Sequence, residues 1–276
     1  MRLKELEGYL QDVAVFDNPK IKLEQYPTTP HLASRILFTA HSTYDDIEGR
    51  IVADFGCGCG ILSIASCLLG ATHVIAVDID PDALEIAQKN ISDFELENTV
   101  DLMHFDLTAF PDVNNKPILS GKVDTVVMNP PFGTKNWGID MAFLKQAVSI
   151  AERAVYSLHK TSTREYIMKK SAEWNMECEV LAEMKFDVPM MYKFHKKRSK
   201  RDSKLMRNGR NIICLNILIF PASTLFFPSL PSDLRRKISR DHGESRIQMS
   251  VDIKLCEFKR RLGIRAVIMQ LSSLGL

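Results

Sequence analysis

The motif in this chain that most clearly indicates a chemical function consists of four consecutive residues, Asn129, Pro130, Pro131 and Phe132. They follow the run 123–128, whose β-branched residues predict a buried strand. Two prolines end such a strand because neither can donate a ladder hydrogen bond. The Asn129 side-chain oxygen and the Pro130 carbonyl can then accept both N–H bonds of a planar amino group, while Phe132 stacks on the attached ring. Methyl transfer to an exocyclic amine requires these contacts, although the four residues alone are also compatible with a turn and a core phenylalanine.

A glycine-rich turn between a predicted strand and a predicted helix supplies a second candidate site. Gly56, Gly58 and Gly60 follow the strand 51–55 and precede a helix that starts near Ile61. Glycines let the backbone turn sharply and approach a ligand, and the N–H groups of the following helix face that ligand. Such a turn could also serve a dinucleotide, although its spacing differs from the GxGxxG pattern.

Acidic residues follow the next two predicted strands. Asp78 ends the apolar run about twenty residues beyond the glycine turn. A carboxylate at this position can accept hydrogen bonds from both hydroxyls of a ligand's ribose. Asp80 precedes Pro81 and is better placed to cap the next helix. After the third strand, Asp106 can accept a hydrogen bond from an adenine amino group, and Leu107 offers a backbone N–H and an apolar wall.

These residues need a scaffold that brings several strand ends to one edge. Strands are predicted at 51–55, 73–78, 100–105, 123–128, 154–158 and 176–183, and helices at about 61–69, 81–92, 140–153 and 162–174. This alternation predicts right-handed βαβ crossovers and a mostly parallel α/β sheet with helices on both faces. Ligands bind such sheets at the carboxyl ends of the strands.

The 276 residues divide into an acidic part and a basic part. Residues 1–192 hold 17 Lys and Arg against 28 Asp and Glu, whereas residues 193–276 hold 19 against 6. We predict an N-terminal helical extension over 1–48, a main domain over 49–198 and a basic C-terminal extension over 221–276. The main domain reaches 220 if the apolar run 211–220 is its last strand. A basic segment favours a nucleic-acid partner, with a solvated tail as the alternative.

The composition argues against several classes of protein. A hydrophobic content of 45% with 25% charged residues is ordinary for a soluble globular protein, and the N-terminus carries no signal pattern. The apolar stretch 212–230 is interrupted by Asn216, Pro221 and Pro228, and its uninterrupted part is about half of the roughly twenty residues that a bilayer requires. The six cysteines show neither a disulfide framework nor paired zinc spacing, so we predict no metal.

Taken together, the motifs resemble a known family. Residues 54–60, Asp78 and residues 129–132 are similar to class I S-adenosylmethionine-dependent methyltransferases that act on amino groups. Segments 23–28, 43–48, 129–135, 141–145 and 154–160 more closely resemble the methyltransferase-like family that forms N6-methyladenosine in small-subunit (18S) ribosomal RNA. The resemblance covers residues 2–198. It implies a Rossmann-like class I methyltransferase fold with a mostly parallel, seven-stranded sheet.

The resemblance also implies roles for individual residues. The S-adenosyl-L-methionine site is expected to comprise Gln25, Thr28, Asp54, Gly56, Cys59, Ile61, Asp78, Asp106 and Leu107. The catalytic residues that hold the target adenine are expected to be Asn129, Pro130, Pro131 and Phe132. From their charge, the predicted RNA phosphate contacts are Lys135, Lys160, Lys193, Lys196, Lys197, Arg198 and Lys200.

A partner and a location follow from the same resemblance. The implied partner of the heterodimer is a small zinc-binding activator subunit that pairs with an exposed sheet edge, here strand 100–105. The implied location is the nucleus, including the nucleolus, and the cytoplasm. The chain departs from the family after its lysine-rich stretch, where similar proteins end in a short strand of alternating acidic and apolar residues. Residues 211–220 are the candidate replacement for that strand.

Three other functions stay open at the level of the residues. A protein glutamine N5-methyltransferase would present the same planar NH₂ group to the Asn-Pro-Pro motif, and guanine N2 methylation would use a similar site. A non-catalytic nucleic-acid-binding module of the same fold is the third. Phe132 favours a base over glutamine, because a tyrosine usually follows the prolines in the glutamine group. The presence of Asp78, Asp106 and Asn129 favours an enzyme.

Overall fold

One sheet organises the part of the chain that the structure, a computed structural model, describes: residues 1–109, 123–186 and 211–219. Its strands are β1 (Ile51–Phe55), β2 (His73–Asp78), β3 (Val100–His104), β4 (Val123–Met128), β5 (Ala151–Lys160), β6 (Glu177–Phe186) and β7 (Asn211–Ile219). They lie in the order β3-β2-β1-β4-β5-β7-β6. Strands β1 to β5 pair in parallel, whereas β7 runs antiparallel to both β5 and β6. The predicted α/β, Rossmann-like and mostly parallel fold is confirmed.

Helices precede the sheet and connect its strands. They are α1 (Leu3–Tyr9), α2 (Pro30–Ser42), α3 (Ile61–Leu68), α4 (Pro81–Asp93), α5 (Ile139–Ile150) and α6 (Arg164–Glu173). The predicted capping role of Asp80 is confirmed, because its side chain accepts a hydrogen bond from the Asp82 N–H at the start of α4. The predicted helix 140–153 is wrong at its end. Ala151 is already extended and pairs with Val123, so β5 begins there.

The core lies between the central strands and α5. Phe55 of β1, Val126 of β4, Val155 of β5 and Leu144 of α5 are almost completely buried and belong to one apolar cluster. Each such side chain contributes about 1.5–3 kcal/mol to folding by leaving water. The strand ends that carry the motifs are therefore held by the best-packed part of the molecule.

The order of the strands reverses between β1 and β4. β1 is followed in sequence by β2 on one side, and the chain returns to place β4 on the other side. Phe55 pairs with Met128 in the parallel register, so Gly56 and Asn129 leave the sheet side by side. This is the topological switch point, where open α/β sheets bind their ligands.

The last strand of the sheet comes from the segment that departs from the resembling family. The prediction of a strand over 211–220 is confirmed, since Asn211–Ile219 inserts between β5 and β6. The predicted extension 221–276 lies outside the described residues. Within the described ranges, no helix is long and apolar enough to cross a bilayer.

Candidate active site

A cavity with a volume of about 330 Å³ opens at the carboxyl ends of the parallel strands. Its walls come from the turns after β1, β2, β3 and β4, from the start of α5 and from the N-terminal segments 13–16 and 22–28. The predicted site residues that line it are Gln25, Thr28, Gly56, Cys59, Ile61, Asp78, Asp106, Leu107, Asn129 and Pro131. Residues that the sequence assigned to a methyl donor and to a methyl acceptor thus share one cavity.

The glycine turn is tied to the end of β2. The N–H groups of Gly56 and Cys57 both donate to the Val77 carbonyl, at 2.8 and 3.0 Å. The Gly58 N–H donates to Asp78 Oδ2 at 2.8 Å. Gly58 has a φ of +54°, and a Cβ there would lie 3.0 Å from Phe16 Cζ. Glycine is strongly favoured at this position, because the left-handed backbone strains a side chain and the Phe16 ring would have to move to admit one.

Two acids face the cavity from neighbouring strand ends. Asp78 accepts backbone hydrogen bonds on both oxygens, from Gly58 and from Asp80 at 2.9 Å. Burial raises the pKa of Asp78, although these N–H groups oppose the shift. Asp106 accepts from the N–H and the hydroxyl of Thr108, at 2.8 and 2.6 Å. Both carboxylates are fixed by local donors and keep lone pairs that can accept further hydrogen bonds.

Asn129 has one satisfied and one unsatisfied amide atom. Its Nδ2 donates to the Thr28 hydroxyl at 2.9 Å, which fixes the orientation of the amide plane. Its Oδ1 is buried and has no hydrogen-bond partner in the described part of the chain. A buried acceptor without a partner costs about 1–3 kcal/mol. Because this residue lines the cavity, a ligand N–H group there would recover that free energy.

Pro130, Phe132 and Asp54 do not belong to the described lining of the cavity. Pro130 is buried and Phe132 is half-buried next to the lining residue Pro131. The stacking role of Phe132 therefore stays a prediction. The lining also includes Phe143, whose ring would lie 3.2 Å from a Cβ at Gly56.

Asp54 connects β1 to α3, the two elements that flank the glycine turn. It is fully buried at the end of β1, and its Oδ2 accepts a hydrogen bond from the Ser63 hydroxyl of α3 at 2.6 Å. Its Oδ1 has no partner within the described residues. Burial raises the pKa of Asp54 to about 7, with a smaller opposing effect from Ser63. The structure thus assigns Asp54 a position beneath the predicted cofactor site and not within its wall.

The N-terminal segment is fastened over the cavity by Asp80. Lys20 Nζ forms an ion pair with Asp80 Oδ1, and Gln25 Nε2 donates to Asp80 Oδ2 at 2.6 Å. Gln25 Oε1 in turn accepts from the Lys20 N–H at 2.7 Å. Burial alone would raise the pKa of Asp80, but the hydrogen bonds from Lys20 and Gln25 outweigh it and lower that pKa. Gln25 therefore lines the cavity and holds its wall at once.

Asn90 is a functional residue that the sequence reasoning missed. It is buried on α4, where its Oδ1 accepts from the Ala14 N–H and its Nδ2 donates to the carbonyls of Ala14 and Cys59, at 2.8–2.9 Å. It therefore joins the N-terminal wall to the glycine turn. A signal was present, since this amide interrupts the apolar face formed by Ala83, Ala87 and Ile91.

The predicted RNA contacts fall into two groups. Lys135 is exposed on the loop that follows Phe132, and its N–H donates to Glu24 Oε1 at 2.8 Å. Lys160 is half-buried at the end of β5. The others, Lys193, Lys196, Lys197, Arg198 and Lys200, lie outside the described residues.

The two cysteines of the glycine turn, Cys57 and Cys59, are buried. Burial raises the pKa of Cys59 to about 12 and that of Cys57 well above its usual range. The described residues contain no cluster of three or more side chains that could hold a metal ion.

Several known proteins are similar to this chain in sequence and in fold. The family model described as ribosomal protein L11 methyltransferase (PrmA) matches residues 28–130. The chain is 54% identical over 200 residues to rRNA N(6)-adenosine-methyltransferase METTL5 of Danio rerio, covering 72% of this chain and 94% of the relative. It is 49% identical to the Drosophila melanogaster protein of the same designation, over 72% of this chain and 92% of that relative. The crystal structure of PH1948 from Pyrococcus horikoshii is 33% identical and superimposes with a TM-score of 0.65, over 79% of this chain and 98% of that one.

The sheet order, the glycine turn after β1 and the Asn-Pro-Pro-Phe motif after β4 define a methyltransferase with a Rossmann-like fold. The two relatives identify a narrower family within this class, because the match to this chain extends over 94% and 92% of their length at 54% and 49% identity. The chain belongs to the rRNA N(6)-adenosine-methyltransferase family. The resemblance to an adenosine-methylating enzyme is thereby confirmed.

Proposed function

We propose that the protein transfers a methyl group from S-adenosyl-L-methionine to N6 of an adenosine in small-subunit (18S) ribosomal RNA. The observation that carries this proposal is the Asn129 amide, whose Nδ2 is held by Thr28 while Oδ1 stays buried and unpartnered among the described residues. This oxygen can accept an N–H bond of a base amino group. The relatives named for this activity support adenosine in ribosomal RNA as the target.

The cavity fits S-adenosyl-L-methionine on the side of β1, β2 and β3. At Gly56 and Gly58 no side chain stands between the backbone and a ligand, and Asp78 and Asp106 present acceptors for ribose hydroxyls and an adenine amino group. When bound, the sulfonium supplies an electrophilic methyl group and departs as a neutral thioether. Gly56 and Asn129 leave adjacent strands, so a donor beside the turn and an acceptor at Asn129 would face each other.

The acceptor side must activate a weak nucleophile. The lone pair of an adenine amine is delocalised into the ring, so the amine must move towards tetrahedral geometry before it attacks. A hydrogen bond from one N–H group to Asn129 Oδ1 would favour that geometry most strongly in the transition state. The acceptor proposed for the second N–H group, from the sequence motif alone, is the Pro130 carbonyl, whose residue is outside the described lining. The described lining contains no histidine, and the proton released after transfer would pass to water.

The RNA must offer an unpaired adenosine. A base within a duplex cannot reach a cavity that opens at the strand ends, so the target has to be unstacked first. Lys135, exposed on the adjacent loop, is the proposed phosphate contact. A protein substrate is less well supported, since a relative named ribosomal protein L11 methyltransferase matches only 40% of this chain and 36% of its own length.

The proposed partner is a small zinc-binding activator that forms a heterodimer at β3. This strand is at one edge of the sheet, with an exposed Asp101 and half-buried Leu102 and Met103. An edge strand with apolar residues is open to pairing with a strand of another chain. With such a partner, activity in the nucleus, including the nucleolus, and in the cytoplasm is our further expectation.

One incubation separates the candidate functions. The full chain, with and without the activator, is mixed with tritiated S-adenosyl-L-methionine and either total RNA or release-factor protein, and the methylated product is identified by mass spectrometry. We expect N6-methyladenosine in the 18S fraction, with more product when the activator is present. Methylglutamine or N2-methylguanosine as the main product would replace the proposal, and no methylated product would favour a binding module.

A further inference from the structure

Trp137 is more exposed than every other large apolar side chain that the structure describes. It is 95% exposed, whereas the exposed fraction of the other large apolar side chains in the described residues does not exceed 49%. Single exposed apolar residues are common on protein surfaces. An almost fully exposed indole is less common, because it is the largest apolar side chain and gains most from burial. A function for this exposed indole depends on whether it lies near the cavity.

Trp137 stands at the rim of the cavity. Its neighbour Asn136 lines the cavity together with Asn129 and Pro131. Consecutive Cα atoms lie about 3.8 Å apart, so the Trp137 backbone lies at the edge of the cavity, and its indole, 95% exposed, extends into solvent there. An RNA chain that extends from the adenosine over this loop would meet the indole.

The loop that carries Trp137 is held on both sides of it. The Lys135 N–H donates to Glu24 Oε1 at 2.8 Å, and the Asn136 carbonyl accepts from the Ile139 N–H at 3.3 Å. Gly138 has a φ of +82° and ends the loop at the start of α5. The indole is thus presented to solvent by a fastened backbone, which lowers the entropy lost when a ligand stacks on it.

Its surroundings match those of a single-stranded RNA platform. Lys135 is an exposed cation two residues before the indole, and a basic side chain beside an aromatic face is the usual combination for phosphate contact and base stacking. We propose that the Trp137 indole stacks on the nucleobase next to the adenosine that enters the cavity. The inference rests on the proposed function, because it places a neighbouring base where that function places the target.

The two tryptophans of the chain make the contact measurable. Trp174 is partly buried against the core, so the Trp137→Phe variant reports Trp174 alone. The full chain is titrated with an oligouridine that carries one central adenosine, and tryptophan fluorescence is recorded. We expect strong quenching in the wild type and little in Trp137→Phe. Equal quenching in both, or no binding by the wild type, would overturn the inference.

Affinity variants separate stacking from apolar contact. Trp137→Phe keeps an aromatic face, whereas Trp137→Leu keeps apolar surface without one. We expect Trp137→Leu to raise the Kd for this RNA about tenfold and Trp137→Phe to raise it much less. Tyr166→Leu is the matched control, since Tyr166 is an exposed aromatic on α6 that does not contribute to the described lining. Equal affinity of wild type and Trp137→Leu would contradict the stacking contact.

An abasic nucleotide identifies the base that is contacted. Oligonucleotides with an abasic residue on the 5′ or the 3′ side of the adenosine are compared in wild type and Trp137→Leu. One of them should lose affinity in the wild type and show no further loss in the variant. Additive losses at both positions would refute the assignment. Methylation of the same oligonucleotides tests the proposed function separately, because stacking and transfer can fail independently.

Discussion

The Asn129 side chain is oriented by the Thr28 hydroxyl, which lies 101 residues earlier in the chain and 2.9 Å from Asn129 Nδ2. Thr28 belongs to the N-terminal segment and Asn129 to the end of β4. One hydrogen bond therefore couples the wall of the cavity to the residue that is proposed to hold the methyl acceptor.

The Thr28→Val variant tests this coupling. Valine keeps the shape but removes the hydroxyl that fixes the Asn129 amide, so the amide can rotate away from its productive orientation. We expect kcat for RNA methylation to fall about tenfold, the equivalent of about 1.4 kcal/mol. Cofactor affinity should change much less. Thr28→Ser, which keeps the hydroxyl, is the matched control, and an equal loss in both variants would argue against the orienting role.

The Gly58→Ala variant tests the close approach at the glycine turn. The φ of +54° and the contact of 3.0 Å with Phe16 both oppose a side chain. We expect the Kd for S-adenosyl-L-methionine, measured by calorimetry, to rise by roughly tenfold or more. Gly8→Ala is the control, because a Cβ at Gly8 meets nothing within 4 Å. Unchanged affinity in Gly58→Ala would show that the turn does not approach the cofactor.

Asn90 is expected to stabilise both the fold and the site. The Asn90→Ala variant leaves the backbone groups of Ala14 and the Cys59 carbonyl without their side-chain partner. We expect the free energy of unfolding in urea to fall by about 1–3 kcal/mol and cofactor affinity to fall with it. The exposed Asn98 provides a control variant, Asn98→Ala, which should stay within about 0.5 kcal/mol of the wild type. A loss of stability without any loss of affinity would mean that Asn90 does not hold the cavity wall.

The raised pKa of Asp54 predicts a specific dependence of the free energy of unfolding on pH. Its pKa is raised from the ordinary carboxyl value of 3.8 to about 7 in the folded protein. The folded state binds the proton more tightly than the unfolded state, so this contribution is complete below about pH 4 and is lost as the pH rises towards 7. The Asp54→Asn variant should lose less stability than the wild type between pH 5 and pH 8, as measured by urea unfolding. The same pH response in both proteins would contradict the assignment.

The sequence predicted the parts of this site that depend on local patterns. Asp78, Asp80 and Asn129 follow directly from apolar runs, and each stands at the predicted strand end or helix start. The contacts of Asn90 could not be predicted in this way. Its partner Ala14 lies 76 residues away, and no local pattern encodes which loop packs against a helix.

The limits of helix and strand prediction have a similar origin. The segment after Ile150 contains alanine, glutamate and arginine, which favour a helix, yet Ala151 pairs with Val123 and starts β5. Pairing with the neighbouring strand overrides the local preference. The position of Asp54 outside the cavity wall could not be predicted from local sequence either, because it depends on how β1 and α3 pack together.

The most direct test of the account is the Asn129→Ala variant. It removes the buried Oδ1 acceptor and leaves the glycine turn intact. We expect formation of N6-methyladenosine in 18S ribosomal RNA, measured by mass spectrometry of nucleosides, to fall about a hundredfold or more, while binding of S-adenosyl-L-methionine persists. Wild-type levels of N6-methyladenosine in the Asn129→Ala variant would contradict the central role of this residue.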